Sequence, residues 1–222
     1  MSEPLDALEV EASRTGAFLH DLTPADWARA TRCPPMTVRE LAVHALRGAY
    51  RVTEFLGGPS IDDEPELDVV TYYRYDPAEV APAVVSRAKS ESDARPADAD
   101  IAAEWGEAWA AAIESARREA ADDPVIASPF GTIRLREYVK SRCVEVTIHT
   151  MDLRDALGLE PDPTPEGIDA TCDALRGLLG TDLRPLGMDE VRFSLLGTGR
   201  ATMTGAEREM LGPLSDSFPL LQ

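Results

Sequence analysis

The chain has 222 residues, with 22 lysines and arginines against 40 aspartates and glutamates, so its formal net charge at pH 7 is −18. No basic cluster is available to neutralise phosphates, so the composition argues against nucleic-acid binding and against attraction to an anionic membrane. No run of about 18 apolar residues predicts a membrane span, no secretory signal is expected, and three widely spaced cysteines without a CxxC pair indicate a reduced cytoplasmic protein.

The N-terminal part of the chain predicts two helices separated by a loop. Apolar residues at three- and four-residue spacing indicate a first helix over residues 5–21. A loop rich in helix breakers follows over residues 22–35. The second helix begins with a capping box, because Glu40 stands three residues after the cap residue Thr37. Two glycines and a proline at residues 57–59 predict its end.

The middle of the chain predicts an acidic excursion followed by three helices. Residues 59–76 carry many acidic side chains and show little hydrophobic periodicity. Helices are predicted over residues 77–89 and about 99–121, and a proline-containing turn ends the second of these. A long helix is then predicted over residues 135–157, before Gly158.

The C-terminal part changes its pattern. Behind a proline-rich linker, a helix is predicted over residues 165–179. Alternating residues at 191–195 and 201–204, around a glycine-rich turn, predict a β-hairpin. Thr204 and Glu207 have the spacing of a capping box for a short last helix.

The elements together predict a mainly α protein in two parts. Residues 1–159 are expected to form a helical bundle. Residues 160–222 are expected to form a small C-terminal α+β region, a hairpin plus helices.

Titratable side chains form a stripe along the helix predicted at residues 135–157. When successive residues are placed 100° apart, five of them fall in one sector about 80° wide. These are Tyr138, Arg142, Glu145, His149 and Asp152. Apolar residues fill the neighbouring sector, so the stripe borders the buried face. Buried charges cost free energy unless they are paired or bound to a metal ion, so the stripe requires a partner.

His44 on the second predicted helix is a candidate partner, because it shares the apolar face of that helix. Gly48, one turn further on, is expected to leave space beside the imidazole. Two histidines and one carboxylate on facing helices make a three-ligand metal site with an open coordination position, as in catalytic zinc sites. The candidate ligands are therefore His44, Glu145 and His149.

From the residues alone, a structural interpretation stays open. The i,i+4 spacing of Glu145 and His149 also occurs in simple helix contacts. A single histidine on an apolar face, such as His44, is often a hydrogen-bonded core residue. Either Arg142 or Asp152 could equally well belong to a buried ion pair that holds the bundle together.

Three stretches carry a more specific pattern: LTPADW at residues 22–27, CPPMTVRELAVH at 33–44 and RCVEVTIHTMDL at 142–153. They resemble the mycothiol-dependent maleylpyruvate isomerase family, within the DinB-like metalloenzyme superfamily. Its pattern is Thr-Val-x-(Asp/Glu)-Leu leading to a histidine, then R-x-x-E-x-x-x-H-x-x-D. The resemblance covers residues 5–157 in layout. It implies a DinB-like four-helix bundle, in which residues 59–98 form a long crossover between the second and third helices.

The resemblance also implies roles for the candidate residues. His44, Glu145 and His149 would bind a divalent metal ion, usually zinc, with mycothiol as a thiol co-substrate. Apart from the resemblance, a thiol-dependent reaction at this site would make Tyr138 and Arg142 candidates to polarise substrate oxygens, and Asp152 a candidate to orient an imidazole from behind. The chain after residue 160 is shorter than the α/β second domain of the isomerase, so the resemblance does not give the substrate.

Three functions remain open at this point. The first is a thiol-dependent transferase or isomerase, in which a metal-bound thiolate attacks an electrophilic carbon. The second is a hydrolase whose metal ion activates water. The third is a metal-free bundle that binds a ligand without catalysis. The expected partners are a small-molecule substrate and a thiol, and a homodimer is left open.

Overall fold

The computed structural model describes residues 2–221. Its elements are, in chain order, α1 (Ser2–His20), α2 (Pro24–Trp27), α3 (Val38–Leu56), α4 (Val69–Tyr72), α5 (Pro77–Asp93), α6 (Ile101–Arg118), β1 (Val125–Ser128), β2 (Gly131–Arg134), α7 (Leu135–Ala156), α8 (Pro165–Leu179), α9 (Glu190–Gly197) and α10 (Gly205–Leu211). Short 3₁₀ turns lie at Arg184–Leu186 and Gly212–Ser217. The prediction of a mainly α fold is confirmed. None of the helices in this range is long and apolar enough to span a membrane.

Four long helices form the bundle. α1 and α3 each contact both α6 and α7, so the four helices close a ring around one apolar core. Trp105 on α6 is almost fully buried, and its indole Nε1 donates a hydrogen bond to the backbone oxygen of Ala12 on α1 at 2.8 Å. This contact satisfies the polar atom of a large core side chain and ties two bundle helices together.

The start of α3 follows the predicted capping box. The hydroxyl of Thr37 accepts a hydrogen bond from the backbone N–H of Glu40, and the Glu40 carboxylate accepts from the backbone N–H of Thr37 at 2.7 Å. Two orphan donors of the first turn are thereby satisfied. The cap sets the start of the helix, and His44 follows two turns later on the face toward α7.

The crossover between α3 and α6 holds two helices, α4 and α5, and α5 packs on α3. The antiparallel hairpin of β1 and β2, which follows α6, was not predicted. Its strands have only four residues each, too few to show a clear alternation. The crossover also pairs with this hairpin, through isolated bridges from Ile61 to Val125 and from Leu67 to Ile133.

The hairpin predicted in the C-terminal region is wrong. Residues 190–197 form helix α9, and residues 201–204 belong to no strand. Phe193 and Leu196, three residues apart, are both buried, so the short pattern fits one helix face as well as a strand. The capping box of Thr204 and Glu207 is present at the start of α10, as predicted. α8 connects this region to the bundle by packing on α1 and α7.

Candidate metal centre

His44 on α3 meets Glu145 and His149 on α7 where the two helices face each other. The imidazole rings of His44 and His149 have their centroids 5.1 Å apart and cross at 78°. Nε2 of His149 lies 3.5 Å from Oε2 of Glu145. One ligand atom from each of the three residues lies within 4.8 Å of the other two. The structure therefore brings together the three residues that the sequence selects as metal ligands.

The donor set fits a divalent metal ion. Two imidazole nitrogens and a carboxylate are ligands that zinc takes in catalytic sites, where a fourth position stays open. Within residues 2–221, the Glu145 carboxylate has His149 as its one close partner, and the His44 ring makes no hydrogen bond. A bound cation would give the neutral His44 ring and the Glu145 carboxylate a common positive partner.

Electrostatics at the site are set by burial and by the neighbouring charges. Burial and the nearby His149 lower the pKa of His44 to about 3, which keeps this ring neutral, as a metal ligand must be. Burial disfavours a charged His149, but hydrogen bonds with Asp152, Cys33 and Glu145 outweigh it and raise the pKa of His149. Burial alone would raise the pKa of the Glu145 carboxyl, but His149 and Arg142 outweigh this effect and lower the pKa.

Asp152 holds the far side of the His149 ring. Its Oδ2 lies 3.1 Å from Nδ1 of His149, so the Nδ1–H donates to the carboxylate and Nε2 faces Glu145. Asp152 is fully buried, and Arg200 donates to both of its oxygens, from Nε at 2.7 Å and from Nη2 at 2.6 Å. Asp152 therefore forms the buried ion pair left open by the sequence, and its partner Arg200 was not predicted.

Cys33 completes a second group of possible ligands with His149 and Asp152. Its Sγ lies 3.4 Å from Oδ2 of Asp152. Both oxygens of Asp152 already accept hydrogen bonds from Arg200, so this carboxylate is neutralised. The group of His44, Glu145 and His149 is the better cation site, because no arginine is ion-paired with its carboxylate within the part of the chain described.

Arg142 and Tyr138 also belong to the predicted stripe, and they contact each other and Tyr72. Nη2 of Arg142 donates to the hydroxyl of Tyr72 at 3.1 Å, and its guanidinium carbon lies 4.8 Å from the Tyr138 ring centroid. In the described chain, Arg142 has no carboxylate within 4.0 Å. Arg142 therefore does not form the buried ion pair that the sequence left open for it. Tyr138 is fully buried, and its hydroxyl has no described partner.

The space expected at Gly48 is small. A Cβ placed there would lie 3.4 Å from the ring of Trp109 and 3.6 Å from Cδ of Arg142, so these side chains approach α3 at this point. A pocket of about 30 Å³ remains, and both Gly48 and His44 line it.

A cavity of about 540 Å³ opens onto the candidate ligands. Its wall includes His44, Glu145 and His149, together with Arg142 and Tyr72, whereas Tyr138 is not on it. α5 and the tip of the β-hairpin form the opposite side. A cleft of this size suits a small-molecule ligand.

The fold and the site define a helical bundle in which facing helices present two histidines and a glutamate to a ligand-sized cavity. The family model described as the mycothiol maleylpyruvate isomerase N-terminal domain matches residues 8–154, which is 147 of the 222 residues. The chain belongs to this family. Neither a curated protein nor a solved structure gives a significant match. The matched range includes Asp152 and ends before Arg200.

Proposed function

We propose that the protein is a metal-dependent enzyme that uses mycothiol as a thiol co-substrate. It would either join the thiol to a small electrophilic substrate through sulfur or isomerise that substrate. The observation that supports this most is the convergence of His44, Glu145 and His149 within 4.8 Å at a cavity wall, in a member of this family. A divalent ion held there, with Zn²⁺ as the first candidate, would lower the pKa of a thiol and keep it as a thiolate at neutral pH.

Asp152 and Arg200 would position His149. Burial alone would raise the pKa of Asp152, but the hydrogen bonds from His149 and Arg200 lower it to about 2, so this carboxylate stays ionised. By accepting the Nδ1–H, Asp152 would leave Nε2, the ring nitrogen that faces Glu145, as the atom that binds a metal ion. Asp152 is then a positioning residue, behind the ligand set.

Arg142 would bind the substrate oxygen at which negative charge develops. Its guanidinium lies on the cavity wall, held by the Tyr72 hydroxyl and by the faces of the Tyr72 and Tyr138 rings. A fixed donor in a partly dehydrated cavity stabilises such charge better than water does. Tyr138 would contribute by supporting Arg142 with its ring, since its hydroxyl is turned into the core.

The three cysteines support a reducing cellular setting, which we propose to be the cytoplasm. All three are free thiols. Burial raises the pKa of both Cys143 and Cys172 to about 12, which makes them unreactive core residues. Cys33 lines the cavity.

The test is the reaction of monochlorobimane, which fluoresces on thiol transfer, with and without mycothiol. We expect metal-loaded protein to accelerate the reaction in the presence of mycothiol, and His149→Ala to lose the acceleration. Consumption of an electrophilic ester that needs the metal but not the thiol would instead support a hydrolase. A protein that binds no metal and gives no acceleration would support the non-catalytic bundle.

Arg142→Met sharpens the test, because methionine keeps much of the aliphatic packing and removes the charge. We expect the variant to retain metal and to lose roughly 100-fold in kcat/KM, as for a donor to developing charge. A change in Tm with unchanged kcat/KM would show that Arg142 acts only in stability.

A further inference from the structure

Three aromatic side chains lie together on the cavity wall: Tyr72, Tyr75 and Phe130. The rings of Tyr75 and Phe130 stack, with their centroids 4.8 Å apart and their planes at 13°. Tyr72 meets Phe130 edge to face, at a centroid distance of 5.2 Å and an angle of 76°. Aromatic pairs prefer such arrangements. We call these three rings the aromatic wall.

Phe130 stays accessible within the aromatic wall. It is 38% exposed, although it contacts two tyrosine rings. Phe130 lies in the turn of the β-hairpin, on the side of the cavity opposite the candidate metal ligands. Exposed apolar surface inside a ligand-sized cavity is typical of a binding site. Phe130 therefore offers a ring surface to a ligand.

The turn that carries Phe130 is held in place by hydrogen bonds. Oγ of Ser128 accepts from the backbone N–H of Phe130 at 3.3 Å and donates to the carbonyl oxygen of Gly131 at 2.6 Å. Gly131 has a φ of 140°, a conformation that favours glycine. The Glu66 carboxylate on the crossover accepts from the backbone N–H of Thr132 at 2.9 Å. The ring is therefore preorganised, which lowers the entropic cost of binding a ligand.

The surroundings of the aromatic wall indicate which kind of ligand it fits. Beside it, α5 lines the cavity mostly with apolar side chains, such as those of Val80 and Val84, and with Glu79 at an exposed position. The Tyr72 hydroxyl already accepts a hydrogen bond from Arg142. A sugar ring needs hydrogen-bond partners for its hydroxyl groups, whereas a flat apolar ring needs apolar surface. The aromatic wall therefore suits a flat apolar ring better than the sugar of mycothiol.

We propose that the aromatic wall binds a planar aromatic group of the substrate by ring stacking, while the electrophilic carbon faces the candidate metal centre. The inference rests on the proposed function and adds a substrate class to it, electrophiles that carry a flat apolar ring. Phe130 is the specificity-determining residue, because it is the most exposed of the three rings. Binding would remove its exposed surface from water and add an aromatic pair.

The test measures the binding of 2-naphthol, a neutral bicyclic aromatic compound, to the full-length protein by titration calorimetry. Decahydro-2-naphthol has the same carbon skeleton without a flat ring and serves as the ligand control. The variants are Phe130→Leu, which keeps an apolar side chain, and Tyr75→Phe, which keeps the ring. Phe18→Leu is the matched protein control, because Phe18 is partly buried on α1 and lies off the cavity.

We expect the Kd of 2-naphthol to rise roughly three- to tenfold in Phe130→Leu, since one aromatic contact is lost. The Kd of decahydro-2-naphthol should stay as in the wild type. Tyr75→Phe and Phe18→Leu should bind 2-naphthol as the wild type does. Failure of the wild type to bind 2-naphthol at millimolar concentrations overturns the proposal. An unchanged Kd in Phe130→Leu, or an equal loss in Phe18→Leu, also overturns it.

This assay contains no thiol, so its outcome is separate from that of the proposed function. Phe130-dependent binding of 2-naphthol without thiol-dependent turnover would reject the proposed reaction and retain the aromatic subsite. Thiol-dependent turnover with the same 2-naphthol Kd in Phe130→Leu and wild type would reject the subsite alone.

Turnover with two electrophiles gives a second readout. Phe130→Leu should raise the KM for monochlorobimane, whose ring system is flat, and leave the KM for chloroacetamide unchanged. The KM for mycothiol should also stay as in the wild type. A raised KM for mycothiol with an unchanged KM for monochlorobimane would assign the aromatic wall to the sugar of the thiol and overturn the proposal.

Discussion

Two carboxylates inside the bundle, Glu145 on α7 and Glu11 on the neighbouring α1, differ in what surrounds them. Glu145 on α7 shares its surroundings with two imidazoles at a cavity wall. Glu11 on α1 is fully buried, and its Oε2 accepts hydrogen bonds from the backbone N–H and the hydroxyl of Thr164 at 2.9 and 2.5 Å. The charge of Glu145 is stabilised by cationic neighbours, whereas burial raises the pKa of Glu11.

The space around the two carboxylates differs as well. A Cβ built on Gly167 would lie 2.5 Å from Oε2 of Glu11 and 2.7 Å from Oγ1 of Thr147, so α8 leaves no room for even a methyl group at this point. Glu145 instead faces a cavity of about 540 Å³. Burial of a charged group is therefore a poor guide to a functional site. What marks the site is several electron-pair donors around one point, with open space beside them.

The largest effect is expected from His149→Ala. Loss of one of three ligands should weaken metal binding by more than about 100-fold, which is more than typical losses from groups behind the ligands. Metal content after purification without a histidine tag measures this. Cys143→Ala is the control on the same helix, because Cys143 is buried in the core, and it should keep the metal. Full metal content in His149→Ala would contradict the assignment.

Asp152→Asn should have the next largest effect. The amide keeps the size of the carboxylate but loses its charge, so it holds the His149 tautomer less firmly. We expect metal affinity to fall about 10- to 100-fold, measured by competition with a chelator. A purely structural role would lower Tm and leave the metal affinity of the folded protein as in the wild type.

Gly167→Ala should affect stability without affecting the metal. The added methyl group would collide with Glu11 and Thr147, so we expect a loss of about 1 to 3 kcal/mol in the free energy of unfolding. Gly106→Ala is the matched control, because no atom lies within 4 Å of a Cβ there and alanine favours the helix by about 1 kcal/mol. Urea denaturation measures both. Equal stability of the two variants would show that α8 packs loosely on Glu11.

Glu11→Gln should show the smallest effect, and one that depends on pH. The raised pKa of Glu11 means that the folded chain binds a proton more readily than the unfolded chain. The stability that Glu11 contributes to the wild type is therefore fully present below its ordinary pKa of 4.5. This contribution is lost as the pH rises through the higher pKa that Glu11 has in the folded chain. Relative to wild type, the stability of Glu11→Gln should increase from pH 4.5 to pH 8.

Unfolding curves across this pH range measure the difference, and Glu209→Gln, at an exposed position on α10, is the control. A constant difference between Glu11→Gln and wild type would show that Glu11 has the same pKa in the folded and the unfolded chain, which contradicts the prediction.

The candidate ligands could be predicted because they stand on two long, regular helices, of which α3 also has a capping box. The Thr37 cap places His44, and the 100° rotation per residue places Glu145 and His149 on one face. Arg200 could not be predicted, because it follows Asp152 by 48 residues and reaches it through tertiary packing. Tyr72 was missed for a similar reason, since it lies on a four-residue helix that shows no periodicity.

Binding of a divalent ion by His44, Glu145 and His149 can be tested directly by zinc X-ray absorption spectroscopy on tag-free protein loaded with one equivalent of Zn²⁺, without added thiol. We expect a first shell of nitrogen and oxygen at about 2.0–2.1 Å and no sulfur. A sulfur neighbour at about 2.3 Å would place the ion in the group containing Cys33, and failure to bind one equivalent would contradict a metal centre altogether.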